Sequence, residues 1–166
     1  GYAANHNIRD LDITGEVIRQ KYPEYNQSFQ SLVHENHTYF GNIIVTSKEI
    51  FDRYSEWLFT ILFEVEARID ISGYDDYHRR VFGFLSEFLL MVWIDVNKIK
   101  VYECKIGMTA EKYETADMKD VLADYFAHKD FLGAKNYFLE VLKRRPDVLM
   151  EASDINGELK LAMQMI

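Results

Sequence analysis

The segment from Val81 to Val96 is apolar on nearly every side of the helix that its residue spacing predicts. A helix without a polar face has to be covered by other parts of the chain, so this segment predicts the centre of a buried core. The polar residues Ser86, Glu87 and Asp95 keep its apolar run below the roughly 18 uninterrupted residues that a membrane-spanning helix needs. We therefore expect a folded domain with no membrane span.

A second long helix is predicted upstream, because apolar residues recur three and four positions apart from Ile50 to Ile69. Ser47 directly precedes this periodicity. Helical spacing also runs through residues 10–40 and is interrupted at Pro23, which predicts two helices there. The apolar row of the second long helix is assigned to core packing rather than to a cofactor site. Its members include Phe51, Tyr54, Trp57, Leu58 and Phe59.

Two segments have the composition or the alternation of β-strands. Residues 39–46 are aromatic and β-branched between turn-forming residues, and residues 98–107 alternate in polarity. We predict that they form a short two-stranded element, so that the fold class is α+β, mostly α, with long buried helices. Residues 109–120 lose the hydrophobic period. We therefore predict two domains, 1–108 and 109–166, the second of which is a helical hairpin.

The charge and the cysteine content exclude several classes of function. The formal net charge is −8 and the sequence pI is about 5.1, so nucleic acid, a polyanion, is not an expected partner. Cys104 is the single cysteine, which excludes a disulfide within the chain and a cysteine-rich zinc site. These features favour a reducing, cytoplasmic location.

No metal site is predicted, although two pairs of residues have the spacing of metal ligands. Asp10-Leu-Asp12 has the acid-x-acid form of many sugar-nucleotide enzymes, but here it opens a helix that Asp12 or Thr14 can cap. His34 and His37 are three residues apart, as on a metal-binding helix, but no third ligand is near them in sequence. Both pairs are interpreted as residues at helix ends.

Four blocks of sequence follow one another between Tyr2 and about Gly107. They are His6-Asn-Ile-Arg-Asp10-Leu with Lys21-Tyr-Pro-Glu-Tyr25, Asn42-Ile-Ile-Val, Phe51-Asp-Arg-Tyr-Ser-Glu-Trp-Leu-Phe59 with Ile69-Asp-Ile-Ser-Gly-Tyr74, and Arg80-Val-Phe-Gly-Phe-Leu-Ser-Glu87. In order and spacing these blocks resemble a bacterial family of capsular and exopolysaccharide glycosyltransferases, long catalogued as a domain of unknown function.

The resemblance implies the C-terminal, acceptor-side half of a nucleotide-sugar transferase of the GT-A type. The family's donor half contains a His-Tyr-Arg-Arg-Tyr-Phe-like block with no counterpart in this sequence. We therefore expect this piece to bind no cofactor and to be inactive alone. In a longer parent, the partners would be a nucleotide sugar and a glycan acceptor during surface-polysaccharide or lipopolysaccharide synthesis. The location would be cytoplasmic, with membrane association through partner proteins.

The resemblance also implies the residues of the site. Glu87 is the expected catalytic base, since a carboxylate has to take the proton of the acceptor hydroxyl in an inverting transfer. The alternative is that Glu87 forms an ion pair with Arg79 or Arg80, or caps a neighbouring helix. Phe88 and His78 depart from the arginine and glutamine of the family, which leaves the activity of the parent open. The implied substrate-binding residues are His6, Asp10, Asn42, Tyr74, Asp75, Asp76, His78 and Arg80.

Several of these residues have a structural alternative. Asp75 and Asp76 fit a helix N-terminus as well as a sugar site. Asn42, at a predicted strand end, either donates to an acceptor hydroxyl or satisfies a turn. His6 stands four residues before Asp10, a spacing that would put both on one helix face.

The C-terminal hairpin resembles a tetratricopeptide helix pair through Tyr125, Ala134, Phe138 and Pro146. A single such pair cannot bury its apolar face alone, so it would pack on the preceding domain or on further repeats. The rival hypothesis is therefore a non-catalytic helical module that binds another protein. An incomplete domain would also expose apolar surface, which predicts a homodimer through that face.

Overall fold

The computed structural model describes residues 6–35, 39, 43–104, 111–149 and 153–166. The described α-helices are α1 (Ile8–Lys21), α2 (Asn26–Leu32), α3 (Lys48–Glu66), α4 (Val81–Asn97), α5 (Tyr113–Ala127), α6 (Phe131–Arg144) and α7 (Glu158–Met165). Short 3₁₀ helices occur at Pro23–Tyr25, His78–Arg80 and Pro146–Leu149.

The chain divides into two compact units. The first unit comprises Gly1–Gly73 and His78–Glu103, and the second comprises Tyr74–Tyr77 and Cys104–Ile166. The boundary predicted between residues 108 and 109 lies outside the described residues and stays a prediction. No described helix is long and apolar enough to cross a membrane.

The predicted α+β class is wrong, because the part of the chain that the structure describes is helical and contains no strand. Residues 43–46 and 98–104 have no regular structure. The side chains of Ile43 and Val45 are 69% and 100% exposed, so the residues that suggested a strand bury little apolar surface. Strand-like composition does not form a sheet unless a partner strand supplies the hydrogen bonds.

A side-chain contact joins the two segments that were expected to pair as strands. The hydroxyl of Tyr39 donates to Glu103 Oε1 at 3.1 Å. Burial, the hydrogen bond and the charge of Glu103 all raise the pKa of the Tyr39 phenol above its ordinary value. The segments around these two residues are therefore linked through side chains, without a backbone ladder among the described residues.

Helix α1 begins earlier than the sequence analysis predicts. Asn7 is its N-cap, and the Asn7 side chain accepts a hydrogen bond from the backbone N–H of Arg9 at 3.1 Å. The expectation that Asp12 or Thr14 caps this helix is wrong. The hydroxyl of Thr14 instead donates to the carbonyl oxygen of Asp10 at 2.7 Å, inside the helix.

Helices α1 and α2 approach each other closely at Gly15. A Cβ atom on Gly15 would lie 2.8 Å from Cε1 of Phe29, which is too short for a real contact. Phe29 is buried and packs edge-on against Phe88 of α4, with ring centroids 5.6 Å apart. Phe88, which replaces the arginine expected from the resemblance, is therefore a core residue here.

Helix α4 is buried, as its continuous apolar run predicts, and it contacts α2 and α3. Helix α3 starts after Ser47, whose side chain accepts a hydrogen bond from the backbone N–H of Ile50 at 3.4 Å. One side of α3 faces α1 and α4. The residues that it buries are Tyr54, Trp57, Leu58, Ile61, Leu62 and Val65.

Helix α3 also carries exposed aromatic residues. Phe51 and Phe59 are each half exposed and Phe63 is 64% exposed, so the core assignment of Phe51 and Phe59 is wrong. The rings of Phe59 and Phe63 lie 5.9 Å apart between centroids. We call these three residues the α3 phenylalanine face. A helix that is apolar on two sides can bury only the side that meets its neighbours.

In the second unit, α5 and α6 form a helical hairpin against which α7 packs. Asp130 caps α6, since its Oδ1 accepts a hydrogen bond from the backbone N–H of Gly133 at 2.8 Å. The tetratricopeptide-like character of this pair stays a prediction. The core of the unit consists of Met118, Leu122, Ala134, Phe138, Val148, Leu159 and Ala162.

Buried carboxylates hold the last part of this unit. Asp147 forms a two-point ion pair with Arg145, with both N–O distances below 3 Å, at 2.8 and 2.9 Å. Asp154 accepts hydrogen bonds from the backbone N–H groups of Leu159 and Lys160 at 3.2 and 3.1 Å. These bonds satisfy amides at the start of α7 that have no partner within the helix.

Candidate functional site

The structure brings His6 against the first turn of α4. The imidazole of His6 stacks on the ring of Phe84, with centroids 4.2 Å apart and 30° between the planes. His78, in the 3₁₀ helix that leads into α4, lies edge-on to His6 at 6.3 Å between ring centroids. Two of the predicted substrate-binding residues, His6 and His78, are thus neighbours although they are distant in sequence.

Burial and the neighbouring imidazole both act on His6. Burial is the larger cause and lowers the pKa of His6, and the positive charge of His78 lowers it further. His6 is therefore favoured in its neutral form near pH 7, in which one ring nitrogen donates and the other accepts a hydrogen bond.

Arg80 lies on the same side of α4. Its guanidinium carbon is 5.5 Å from the centroid of the Phe84 ring, within the range of a cation–π contact. Arg80 also precedes Phe84 by four residues, so the two side chains are neighbours along the helix. Phe84 thus contacts both His6 and Arg80. It was not among the site residues expected from the sequence.

Glu87 follows Phe84 by three residues, which places both on one face of α4. Its side chain is half-buried. The adjacent turn is fixed by Ser86, whose hydroxyl donates to the carbonyl oxygen of Gly83 at 2.7 Å. The buried Tyr54 hydroxyl donates to the Ser86 carbonyl oxygen at 3.5 Å, and burial raises the pKa of that phenol.

We call the group formed by His6, His78, Arg80, Phe84 and Glu87 the α4 cluster. All five residues belong to the first unit. The cluster combines an aromatic ring in contact with His6 and Arg80, a second imidazole beside His6, and a carboxylate on the same face of α4. Such a set of groups can accept a proton, donate hydrogen bonds to hydroxyl or phosphate oxygens, and stack on a sugar ring.

Asp10 and Asn42, two further predicted site residues, are not members of the α4 cluster. Asp10 is 2% exposed within α1. His6 precedes the Asn7 cap, so the shared helix face proposed for His6 and Asp10 does not exist. Asn42 lies outside the described residues, and so does the predicted strand end that would hold it.

Tyr74, Asp75 and Asp76 belong to the second unit. Tyr74 and Asp75 are half-buried and Asp76 is exposed. The segment that contains them is not the first turn of a helix, because the next helical residues begin at His78. Their role in substrate binding stays a prediction.

Metal binding has no support among the described residues, where no three histidine, cysteine or acidic side chains form a group suited to a metal ion. His34 is exposed in the turn that follows α2, and His37 lies outside the described residues. Asp10 and Asp12 differ in exposure, since Asp10 is buried and Asp12 points to solvent.

A cavity of about 450 Å³ lies in the first unit beside the C-terminal half of α4. Lys98 ends this helix in a left-handed conformation, with φ of 51°. Asp95, at its rim, accepts hydrogen bonds from Ser28 at 2.6 Å and from Lys98 at 3.1 Å. No sequence pattern indicates this cavity, because it is formed by side chains from separate segments. Its lining residues are Leu32, Tyr39, Met91, Ile94, Asp95, Lys98 and Ile99.

Comparison with known proteins gives one match. No curated protein and no solved structure matches this chain significantly. The model of the family described as "Domain of unknown function (DUF4422)" matches residues 1–98, which is more than half of the chain and includes the whole α4 cluster. The chain therefore belongs to the DUF4422 family.

Proposed function

We propose that this chain is the acceptor-side part of a bacterial glycosyltransferase that moves a sugar from a nucleotide-sugar donor to a glycan acceptor. In this proposal the donor-binding part of the enzyme lies outside the sequence, so the chain alone is inactive. The setting would be surface-polysaccharide synthesis at the cytoplasmic side of the membrane, through partner proteins. The proposal rests on the sequence resemblance and on one structural observation, the α4 cluster.

The cluster supports the proposal because a half-buried carboxylate stands beside groups that suit a sugar. Phe84 is half-buried, and the part of its ring that His6 and Arg80 leave exposed can contact the C–H groups of a sugar. His6, His78 and Arg80 supply hydrogen-bond donors around that face. Glu87 follows on the same side of α4.

In the proposed reaction, the Glu87 carboxylate takes the proton of an acceptor hydroxyl as that oxygen attacks the anomeric carbon of the donor sugar. A bond forms between the acceptor oxygen and the anomeric carbon. The bond from that carbon to the phosphate oxygen breaks, and the nucleoside diphosphate leaves with the electron pair. This course applies to an inverting transfer.

A complementation experiment tests the proposal in the organism that encodes the protein. Deletion of the gene should remove a surface glycan, and the wild-type gene should restore it. The Glu87→Gln variant should fail to restore the glycan although it accumulates to the wild-type level. The matched variant Glu16→Gln, at an exposed position of α1, should restore it. Restoration by Glu87→Gln would remove Glu87 from the reaction.

The predicted roles of Asn42, Tyr74, Asp75 and Asp76 belong to the same proposal. Each would hold a hydroxyl group or a ring face of the acceptor. Asn42→Ala and Asp75→Asn should then raise the acceptor concentration needed for half-maximal rate, with a smaller effect on the maximal rate than Glu87→Gln has.

A second candidate function is that of a helical interaction module without catalysis. The α3 phenylalanine face favours it, because three large aromatic side chains are exposed on one helix. A second copy of the chain is the predicted occupant of such a face. Light scattering of the wild type and of Phe59→Lys should then show a dimer and a monomer, respectively. A strict monomer at high concentration of the wild type would contradict this candidate.

A further inference from the structure

The segment that leads into α4 is basic in a chain that is acidic as a whole. His78, Arg79 and Arg80 are consecutive in one 3₁₀ helix, whereas the formal net charge of the chain is −8. Some other cations pair with carboxylates, as Lys21 does with Glu64 at 2.6 Å. Within the described ranges, neither Arg79 nor Arg80 has a carboxylate at ion-pair distance.

The first unit also folds a further imidazole onto this basic segment. His6 comes from before α1 and lies 6.3 Å from His78 between ring centroids. Arg80 lies over the ring of Phe84, with its guanidinium carbon 5.5 Å from the ring centroid. His6 therefore contacts both His78 and Phe84, and Arg80 contacts the same Phe84 ring, so three side chains that donate hydrogen bonds come together from two separate segments.

We propose that the acceptor is a phosphorylated saccharide and that His6, His78 and Arg80 bind its phosphate group. This inference rests on the proposed function, because it assigns a chemical class to the acceptor of the same site. It is independent of the proton transfer assigned to Glu87.

Phosphate fits this arrangement better than a neutral hydroxyl does. A guanidinium donates two parallel N–H groups to phosphate oxygens, and hydrogen bonds between ionised groups are stronger than neutral ones. Each imidazole adds an N–H donor from a different direction. Protonation of His6 is opposed by burial and then by repulsion from the charge of His78, which together lower the pKa of His6. A bound dianion would offset that repulsion, so the pair is better suited to an anion than to an uncharged ligand.

The spacing along α4 connects the phosphate group to the reacting hydroxyl. Arg80 and Glu87 are seven residues apart, which corresponds to a rise of about 10 Å along a helix. A saccharide that carries phosphate at one end can therefore reach both groups. The phosphate would contact Arg80 and the histidines, the sugar ring would lie along Phe84, and a hydroxyl would face Glu87.

Calorimetric titration of the full chain with glucose 1-phosphate tests the inference. Glucose, inorganic phosphate and uridine diphosphate are the comparison ligands. We expect glucose 1-phosphate to bind at least tenfold more tightly than glucose or inorganic phosphate. Arg80→Gln and His78→Gln should each weaken this binding about tenfold. Arg19→Gln, an exposed arginine of α1 in the same unit, is the matched control and should leave the affinity unchanged.

Four results would overturn the inference. Equal affinities for glucose and glucose 1-phosphate would show that the phosphate is not recognised. Equal affinities for inorganic phosphate and glucose 1-phosphate would indicate a simple anion site instead of a saccharide site. Tighter binding of uridine diphosphate than of glucose 1-phosphate would assign the cluster to the donor. An unchanged affinity in Arg80→Gln would also contradict it, since this exposed side chain can be replaced without unfolding the core.

The failure of this inference can be distinguished from the failure of the proposed function. In the longer protein, Glu87→Gln should abolish sugar transfer, whereas Arg80→Gln should raise the acceptor concentration needed for half-maximal rate. If transfer persists in Glu87→Gln while Arg80→Gln still weakens binding, the phosphate site stands and the assigned base is wrong. If transfer is lost in Glu87→Gln but the phosphate has no effect on binding, the acceptor class is wrong.

Discussion

The imidazole of His6 stacks on the ring of Phe84, with 4.2 Å between the ring centroids. This contact joins the segment before α1 to the first turn of α4. It depends on the cap of α1 at Asn7, which fixes where that helix begins. Because of this contact, His6, which lies near the start of the region that matches the DUF4422 family, is part of the proposed acceptor site.

The pKa of His6 reports on this contact. Burial and then the charge of His78 lower it below the ordinary value of 6.5. Phe84→Ala should raise the pKa of His6 towards that value, because it exposes the ring to water. His78→Gln should raise it by a smaller amount. Titration of the His6 ring protons by NMR measures both shifts, and a wild-type pKa at or above 6.5 would contradict the packing described for His6.

The cap of α1 should be important for stability. Asn7→Ala removes the side chain that accepts from the Arg9 amide, and we expect the free energy of unfolding to fall by about 1 kcal/mol. Asp12→Ala is the control, since Asp12 is exposed within the helix and its change should have little effect. Urea unfolding measures both. A larger loss of unfolding free energy in Asp12→Ala than in Asn7→Ala would indicate that Asp12 is the N-cap, as the sequence suggested.

Two glycines should respond oppositely to alanine. Gly83 is in α4 with no atom within 4 Å of a Cβ, so Gly83→Ala should stabilise the protein by about 1 kcal/mol. Gly15→Ala would place a Cβ 2.8 Å from the buried Phe29 ring, and we expect it to destabilise the protein. Thermal unfolding followed by circular dichroism compares the two variants. Stabilisation by Gly15→Ala would contradict the close approach of α1 and α2.

The second unit should lose stability in acid through Asp147. Burial alone would raise the pKa of Asp147, but the hydrogen bonds and charge of Arg145, with the charge of Lys112, outweigh it and hold the pKa below 3.8. A carboxyl whose pKa is lower in the folded state stabilises that state above its unfolded pKa, and this stabilisation is lost as the pH falls through the folded value.

Asp147→Asn should therefore reduce the free energy of unfolding by about 2 kcal/mol at neutral pH. The difference between wild type and variant should shrink as the pH falls below about 3.8. Denaturant unfolding of wild type and Asp147→Asn at a series of pH values from 7 to 2 measures this difference. A difference that is independent of pH would show that the ion pair with Arg145 is not the cause.

The helices of the first unit could be predicted where composition decides burial. Helix α4 is apolar all round, so any compact fold has to cover it. Helix α3 was predicted from spacing, but Phe51 and Phe59 are half exposed, since spacing does not show which apolar residues meet a neighbour. The strand prediction failed because residues such as Val45 suit a sheet only if a partner strand is present.

The candidate site could be predicted only in part. The resemblance pointed to His6, His78, Arg80 and Glu87, which the structure places in one unit. Phe84 was missed because its role comes from a stacking contact with a residue far away in sequence. The only local indication was its position between Arg80 and Glu87 at helical spacing. Asn7 as a cap had a clearer indication, since asparagine directly before an apolar helical run is a typical N-cap.

The initial rate of nucleoside diphosphate release by the longer protein, with donor and acceptor both present, tests the central claim most directly. The account predicts that Glu87→Gln lowers this rate at least about 100-fold, the usual contribution of a general base, with an unchanged melting temperature. Glu16→Gln should leave the rate at the wild-type value. A wild-type rate in Glu87→Gln would contradict the assignment of this face of α4 as the site of sugar transfer.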